Sequence, residues 1–528
     1  MCLLDWYRVR GIEFSLSEDQ KTIQELREQN LVLQQQIDWL KRQLFGRKSE
    51  QFEHPELFEK PEPGKEESSD DADAAAEDSD ESEKTTTRST RRRPIRAERL
   101  PENLPRVTEI VTPPEVLADP GKWKLLSEEE RKWLEKEPGY FYLRVKVYQT
   151  YVPIDEALPG KAVTAAAPPT IIDSGFWGES LLAEVLCNRF LYHLPYARQE
   201  SLYKNRFGIE LSRKTMSDAA GKVAGQLAIL TGLMKEEMLN CGYIRADETE
   251  VRYLDALAPG GSSRGRFWVY KGLNGDVLFD WQLSREHHHF PDWIGADFEG
   301  IIGSDGYEAY ANYCRAQTLR GKTVARAACH AHIRRKYEVA LKEKPALAAW
   351  FMKIYGKLYR IETTLRECRA DRAAKERYRQ RHSQPLLTLL DKANKHLLQK
   401  TKIRPKSRLG EAIRYALGQW SGASTYLAHG QVEIDNNGVE RDIRPSAVGK
   451  KNWLFVGSPE AGDRSAVLYS LLISARHHGV DPETYLRDIL KRLPGCSTDP
   501  AALRELLPEN WATAHKSAQS SSEILDAA

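Results

Sequence analysis

The chain has 528 residues, 78 of them Lys or Arg and 76 Asp or Glu, for a net charge of +2. That length allows about two to four domains and a sizeable core. No apolar run approaches the roughly 18 residues of a membrane span, the apolar start MCLLDWYRVRG is too short for a signal peptide, and the seven cysteines form no C-x-x-C pair. A zinc knuckle and a disulfide framework are therefore not expected, and scattered thiols fit a reducing cytosol.

The clearest periodicity comes first. Leu16, Ile23, Asn30, Ile37 and Leu44 recur every seven residues, with Leu26, Leu33 and Leu40 between them. Apolar residues alternating at three and four define a coiled-coil seam, and a polar Asn30 on it fixes register in a parallel dimer. The plainer reading is an amphipathic helix packed on its own domain. Residues 1–49 are expected to form this helix. Residues 50–105 follow as a disordered linker, rich in Pro, Glu, Asp, Ser and Thr. It is acidic from Glu66 to Glu83 and then basic through arginines 88, 91, 92, 93, 96, 99 and 106.

Residues 106–175 read as a small mixed segment, with a strand over Tyr140–Tyr148 and Pro168-Pro169 closing it. Residues 176–240 read as helical. Leu181, Leu182, Val185, Leu186 and Phe190 keep helical spacing, a second helix covers Pro195–Arg206, Gly208 breaks it, and Ser212 caps a third that opens Arg213-Lys214. Helix, glycine turn, then a helix with basic residues in front fits a helix-turn-helix that binds DNA through Arg213 and Lys214, or an ordinary helical hairpin.

From residue 241 strands take over: Tyr243–Tyr253, Arg266–Tyr270, Val277–Trp281, Gly300–Ser304 and Val324–Cys329. Asn274-Gly275 joins the second and third as a hairpin turn, and a basic helix, His332–Tyr337, follows the fifth. A meander followed by strands alternating with helices describes a mixed α/β sheet over 241–340. Residues 341–428 read as a helical insertion, 429–490 as the remainder of the core, and 491–528 as a tail with a frayed end.

Three carboxylates carry the chemistry. Asp247 lies in the first of these strands, Asp305 ends the fourth, and Glu440 falls in the first turn of a helix begun by Asn436 or Asn437. Taken singly each has a plainer role: a turn or cap residue for the aspartates, and a capping box with Asn437 and an i,i+4 pair with Arg444 for Glu440. Together, three such acids make a two-metal site for phosphodiester chemistry. Arg334, Arg335, Lys336, Arg441, Arg444, Lys450 and Lys451 are candidates to hold DNA phosphates near it, or simply solvated helix faces. His332 would orient a phosphate or a carboxylate, or serve structurally. His287-His288-His289 sits in a loop-like stretch and reads weakly as a metal site.

These residues stand in longer blocks: RADETEV, GIIGSDGYEAY, CHAHIRRKY, EIDNNGVERDIRPSAVGKKNWLFVGS and DPETYL, preceded by LFGRKSEQ, HLPYARQ and LSRKTMSD. The set resembles the DDE transposases of the insertion-sequence-66 family over most of the chain. The resemblance implies a ribonuclease-H-like catalytic core with an all-α insertion. It implies a catalytic, metal-binding triad of Asp247, Asp305 and Glu440 holding two Mg²⁺ ions, with Mn²⁺ as a substitute. Such a site cuts DNA at element ends and joins them to target DNA. A homodimer or higher oligomer, companion proteins from the same element and a cytoplasmic bacterial location belong to the same expectation. Family members also carry a cysteine-paired zinc segment between linker and core, and residues 106–175 contain no cysteine. The rival readings are a catalytically inactive, repurposed DNA-binding protein and a nuclease that hydrolyses without joining.

Overall fold

The structure, a computed structural model, describes residues 104–526 apart from 138, 155–161, 174, 401–402 and 497. The chain divides into two units, Met1–Thr90 and Arg91–Ala528, and every element below belongs to the second. The heptad helix with Ile23, Leu26, Asn30, Leu33, Ile37, Leu40 and Leu44, and all but the last residues of the linker, lie outside the described residues.

Residues 106–164 build a four-stranded sheet: β1 (Arg106–Val111), β2 (Trp123–Glu137), β3 (Tyr140–Pro153) and β4 (Val163–Thr164), in the order β1-β3-β2 with β4 against β3. The alternation expected from Tyr140 onward is present, with Phe141, Leu143, Val145 and Val147 buried. β2, sequence WKLLSEEERKWLEKE, is rich in good helix formers. Its long antiparallel pairing with β3 overrides that propensity.

Three helices follow: α1 (Glu179–Phe190), α2 (Tyr196–Phe207) and α3 (Arg213–Asn240). Gly208 ends α2 in the left-handed region at φ 66°, the usual C-terminal stop. The Ser212 hydroxyl accepts from the Thr215 N–H at 3.1 Å and so caps α3. α3 buries Met216, Val223, Leu227, Leu230, Met234 and Met238 along its length, so it is a core helix whose first turn alone presents Arg213 and Lys214 to solvent.

The central sheet holds β5 (Tyr243–Leu254), β6 (Ser262–Gly272), β7 (Val277–Gln282), β8 (Gly300–Ser304) and β9 (Val324–Ala328), in the order β7-β6-β5-β8-β9. β5, β6 and β7 form an antiparallel meander, whereas β8 runs parallel to β5 and β9 parallel to β8. Between them lie α4 (His289–Ile294) and α5 (Glu308–Leu319), and α6 (His330–Ala340) leaves β9. Then come α7 (Pro345–Glu367), α8 (Arg372–His382), α9 (Gln384–Lys400) and α10 (Arg408–Gly418), the helical stretch expected over 341–428. α11 (Asn437–Trp453), α12 (Pro459–His477) and α13 (Pro482–Cys496) return to the sheet.

The sheet is covered on both faces. Ile244, Ala246 and Ile302 join the large core made with α1, α3 and α12. Tyr243, Ile301 and Ala327 join a second core made with the helices between α6 and α10. The outer strand β7 lies against α12, whose Ser470 and Ser474 hydroxyls accept from the Phe279 and Val277 N–H groups at 2.8 and 2.9 Å. These two donors are thereby satisfied by side chains instead of a neighbouring strand. The expected tail is structured through helices Pro500–Glu505 and Pro508–Asp526, with Leu503, Leu506, Leu507 and Trp511 buried. Their helical spacing is the signal that a composition-based reading of a frayed end missed.

Gly300, at the start of β8, has φ +142°, and a β-carbon there would lie 2.2 Å from the Gly242 carbonyl oxygen. Both objections fall on backbone, which cannot yield. Gly300→Ala is expected to lower stability by about 2–4 kcal/mol, measured by denaturant midpoint. A midpoint unchanged from the wild type would mean that β8 does not need this backbone.

Candidate active site

β5 and β8 decide where the aspartates meet. Their register sets Tyr243 opposite Ile301 and Arg245 opposite Gly303. Continued two residues, it brings Asp247 level with Asp305 on the sheet face that Tyr243 shares, since alternate residues of a strand face the same way. Asp247 also pairs in register with Val269 of β6, so it stands on a strand flanked on both sides. Its Oδ1 accepts from the Glu248 N–H at 2.9 Å. Asp305 accepts from the Tyr307 N–H at 2.9 Å, which shapes the turn after β8.

Glu440 is brought to this face by the segment before α11. The Asn436 side-chain amide donates to the Ala246 carbonyl at 2.8 Å, directly beside Asp247. The Asn436 N–H donates to Cys329 Sγ at 3.2 Å, and the Cys329 N–H donates to the Ser304 carbonyl at 3.0 Å. One cysteine thus ties the approach to Glu440 to the end of β8, just before Asp305. The His330 N–H donates to the Ile434 carbonyl at 3.1 Å. Gly438 lies so close to β5 that a β-carbon there would sit 2.6 Å from Arg245 Nη1.

The expected capping box is absent. Asn436 is the N-cap residue and makes no side-chain cap, because its amide is committed to Ala246. Glu440 is held from α6, with Oε1 3.8 Å from His332 Nε2 and Oε2 3.6 Å from Arg335, in place of the expected pairing with Arg444.

Electrostatics binds the three acids into one group. Burial, together with the charges of Glu248, Asp305 and Glu440 and against the Glu248 N–H bond, pushes the Asp247 carboxyl up to about 8. Removal from water is the main cause, and the neighbouring carboxylates add to it. Glu440 Oε1 is buried and accepts no hydrogen bond. Among the described residues no group of three His, Cys, Asp or Glu lies close enough together to hold a metal ion. Two facts nevertheless fit a divalent cation: the charges of Asp305 and Glu440 act on Asp247, and Glu440 Oε1 is buried without a hydrogen bond.

The basic candidates separate into groups. Arg335 pairs with Glu440, Arg334 pairs with Glu338 at 3.6 Å, and Lys336 lies 5.3 Å from the Tyr415 ring centre. Lys450 donates to the Glu250 carbonyl at 2.8 Å. Arg441, Arg444 and Lys451 are exposed on α11, and by helical spacing Arg444 and Lys451 share the stripe of Glu440. Arg213 and Lys214 stand on a separate helix. Of the histidine run, His289 bonds Ser284 at 2.7 Å and His287 stacks on Tyr307, which leaves both in ordinary side-chain contacts.

Several supporting residues escaped the sequence. Glu248, on the opposite face of β5 from Asp247, is ion-paired with Arg285, whose guanidinium lies 4.3 Å from the Tyr307 ring centre. Lys271 and His477 both bond Asp442 of α11, at 2.7 and 2.6 Å, and so fix that helix to β6 and α12. Only proximity in the fold reveals these pairings.

His330 gives a pH dependence. Its ring donates from Nε2 to the Ala423 carbonyl at 2.7 Å, and burial holds it down to about 4. The folded protein keeps it neutral while the unfolded chain takes a proton below about 6.5. Its contribution to stability is therefore full above about pH 6.5 and lost as pH falls toward 4, by about 3 kcal/mol. Denaturation midpoints across that window should show this slope, and His330→Gln should flatten it. An identical slope in the variant would assign the acid sensitivity elsewhere.

No described helix is long and apolar enough to cross a membrane. Residues 174–464 match the family profile described as "Transposase IS66 family". Residues 32–108 match "Transposase C of IS166 homeodomain", and residues 470–508 match "IS66 C-terminal element". Two proteins of Sinorhizobium fredii, both named only as uncharacterized, are similar over most of the chain. The first, y4qI, is 33% identical over 408 residues, 74% of this chain and 73% of that protein. The second, y4jD, is 30% identical over 431 residues, 78% of this chain and 81% of that protein.

Proposed function

Because the chain belongs to the IS66 transposase family, we propose that it is a DDE-type transposase that cuts insertion-element ends and joins them to target DNA. The observation that supports this reading is the parallel β5–β8 pairing, whose register continued two residues leads Asp247 to Asp305, together with the Asn436 bond to Ala246 that brings the helix of Glu440 to β5. The sheet order, an antiparallel meander extended by two parallel strands on the side of its first strand, supports a ribonuclease-H-like core. The helices from 341 to 428 form its all-α insertion.

Asp247, Asp305 and Glu440 are the residues that would hold two Mg²⁺ ions, or Mn²⁺. Bound there, such ions activate a hydroxyl nucleophile and stabilise the leaving oxygen. The chain's own groups do the rest. Arg335 and His332 set the rotamer of Glu440. The Glu248 and Tyr307 N–H groups aim the two aspartates, and Asp247 would hold a cation as its deprotonated carboxylate. Arg334, Lys336, Arg441, Arg444, Lys450 and Lys451 hold phosphates of the DNA beside the acids, and Arg213 and Lys214 contact it from α3. Cutting and joining exchange one phosphodiester for another, so neither step needs an outside energy source. The heptad helix pairs two copies so that two ends are held together.

The test uses the purified full chain, duplexes carrying the element ends, a target plasmid, Mg²⁺ and, where the element encodes them, its companion proteins. Strand cleavage and joined product are expected, and Glu440→Gln should lose both. Cleavage without joining would make the protein a nuclease. Tight binding of the ends with neither product would make it a DNA-binding protein alone.

A further inference from the structure

Glu440 reaches the aspartates from α11, and the helix by itself does little to fix the angle at which it presents that acid. Asn436 makes no cap, and Pro445 inside the helix denies the Arg441 carbonyl its helical N–H. Of the residues α11 buries, only Val439 and Ile443 are large and apolar. Apolar burial is non-directional. It holds α11 against β5 and β6 without setting its roll.

The middle of the helix is gripped by charge. Asp442 is 5% exposed and Lys271 of β6 is 8% exposed. Lys271 Nζ donates to Asp442 Oδ2 at 2.7 Å, His477 Nε2 of α12 lies 2.6 Å from Asp442 Oδ1, and Nζ and Nε2 are 3.0 Å apart. Both partners of Asp442 are anchored in turn. Lys271 pairs in register with Arg245 of β5, which stands two residues from Asp247 and on the same face. His478, next to His477, bonds the fully buried Asp276 at 2.8 Å in the turn between β6 and β7. Asp442 is thus tied at once to the strand that flanks Asp247 and to α12.

Replacing a buried ion pair by apolar side chains of the same volume is often neutral for stability, so adhesion alone does not call for these charges, whereas direction does. Glu440 and Asp442 are two positions apart and so about 200° apart around the helix. A roll of about 10° would carry a carboxylate about 6 Å from the axis through about 1 Å, a displacement worth about 100-fold in rate at a reacting centre. We propose that Asp442, clamped by Lys271 and His477, is a positioning residue that sets the roll of α11 and with it the reach of Glu440 toward the aspartates and the metal. This rests on the reading of Asp247, Asp305 and Glu440 as the metal-holding acids. The clamp acts through Glu440, so its loss alters turnover and metal requirement and leaves affinity for the duplex unchanged.

The experiment uses the full chain with element-end duplexes, and companion proteins where the element encodes them. It reads melting temperature with and without Mg²⁺, duplex affinity, and cleavage rate at saturating duplex. Lys271→Met combined with Asp442→Leu removes both charges and keeps the volume. Its metal-free melting temperature and its duplex affinity should stay near those of the wild type. Cleavage should be about 100-fold slower, and the Mg²⁺ concentration that gives the same rise in melting temperature about ten-fold higher. His477→Ala, at the partly exposed corner of the clamp, removes one tie and should slow cleavage about ten-fold. A double variant with the wild-type rate and Mg²⁺ requirement would overturn the clamp. So would one whose metal-free melting temperature falls and whose activity returns on cooling, the mark of a purely structural pair. A wild type that neither cleaves nor is stabilised by Mg²⁺ would overturn the reading of the acids, and the positioning with it. A wild type stabilised by Mg²⁺, with the double variant stabilised at the same concentrations, would overturn the positioning alone.

Discussion

Asp247→Asn is expected to abolish both strand cleavage and joining, by three orders of magnitude or more, about 4 kcal/mol of transition-state stabilisation. The amide keeps the shape and the Glu248 contact but removes a charged oxygen from the group that would hold the metal. The same change should make the metal-free fold more resistant to alkali. Asp247 is raised to about 8, so the folded protein retains a proton there that the unfolded chain loses near pH 4. Its favourable contribution is complete below about pH 4 and lost as pH rises through 8. The wild type is therefore penalised above neutrality on the order of a few kcal/mol, and the asparagine variant is not. Added Mg²⁺ should stabilise the wild type at pH 8 and leave Asp247→Asn unmoved. Full activity in Asp247→Asn would remove Asp247 from the triad. A variant no more stable than the wild type at pH 8 would mean that Asp247 is not held away from water in solution as it is here.

Arg379→Ala should produce the largest loss of stability, about 3–5 kcal/mol. Arg379 of α8 is fully buried. It grips Glu362 of α7 with two bonds at 2.9 and 2.7 Å, and its Nη1 donates to the carbonyls of Tyr426 and His429 at 2.9 and 3.1 Å. Removing it strands a buried carboxylate and two buried carbonyls. Those carbonyls belong to the segment that leads into Glu440, so activity should fall at temperatures where the insertion has loosened and recover on cooling. Pairing Arg379→Met with Glu362→Leu should restore much of the stability, because no unpaired charge remains. A loss near zero in the single variant, read from the denaturant midpoint, would show that the insertion does not depend on this pair.

Much of the core was legible because its signals are local. The period-two alternation of Tyr140–Tyr148, the Asn274-Gly275 turn, the Gly208 stop and the Ser212 cap each act within a few residues, and each stands where the sequence put it. Where reading failed, the controlling contact was distant. β2 carries a helix-forming composition but is held extended by β3. Asn436 has the chemistry of a cap but spends its amide on Ala246. The C-terminal leucines pack only because α3, α12 and α13 are there to receive them.

By itself the sequence determined which residue types are available and at what spacing: one aspartate within a strand and one at a strand's end, a glutamate in a first helical turn, basic residues around them, and motif blocks that resemble one transposase family. Only the tertiary structure decided their company. The β5–β8 register, paired as far as Arg245 and Gly303, leads Asp247 toward Asp305, and the Cys329 and Asn436 bonds draw in the segment of Glu440 across the length of the insertion. Arg189 was left against the rings of Tyr196 and Trp453, with no carboxylate among the described residues to pair with it. Register and long-range hydrogen bonds depend on which strands pair and which faces are buried, and a linear chain does not carry that information in any single stretch.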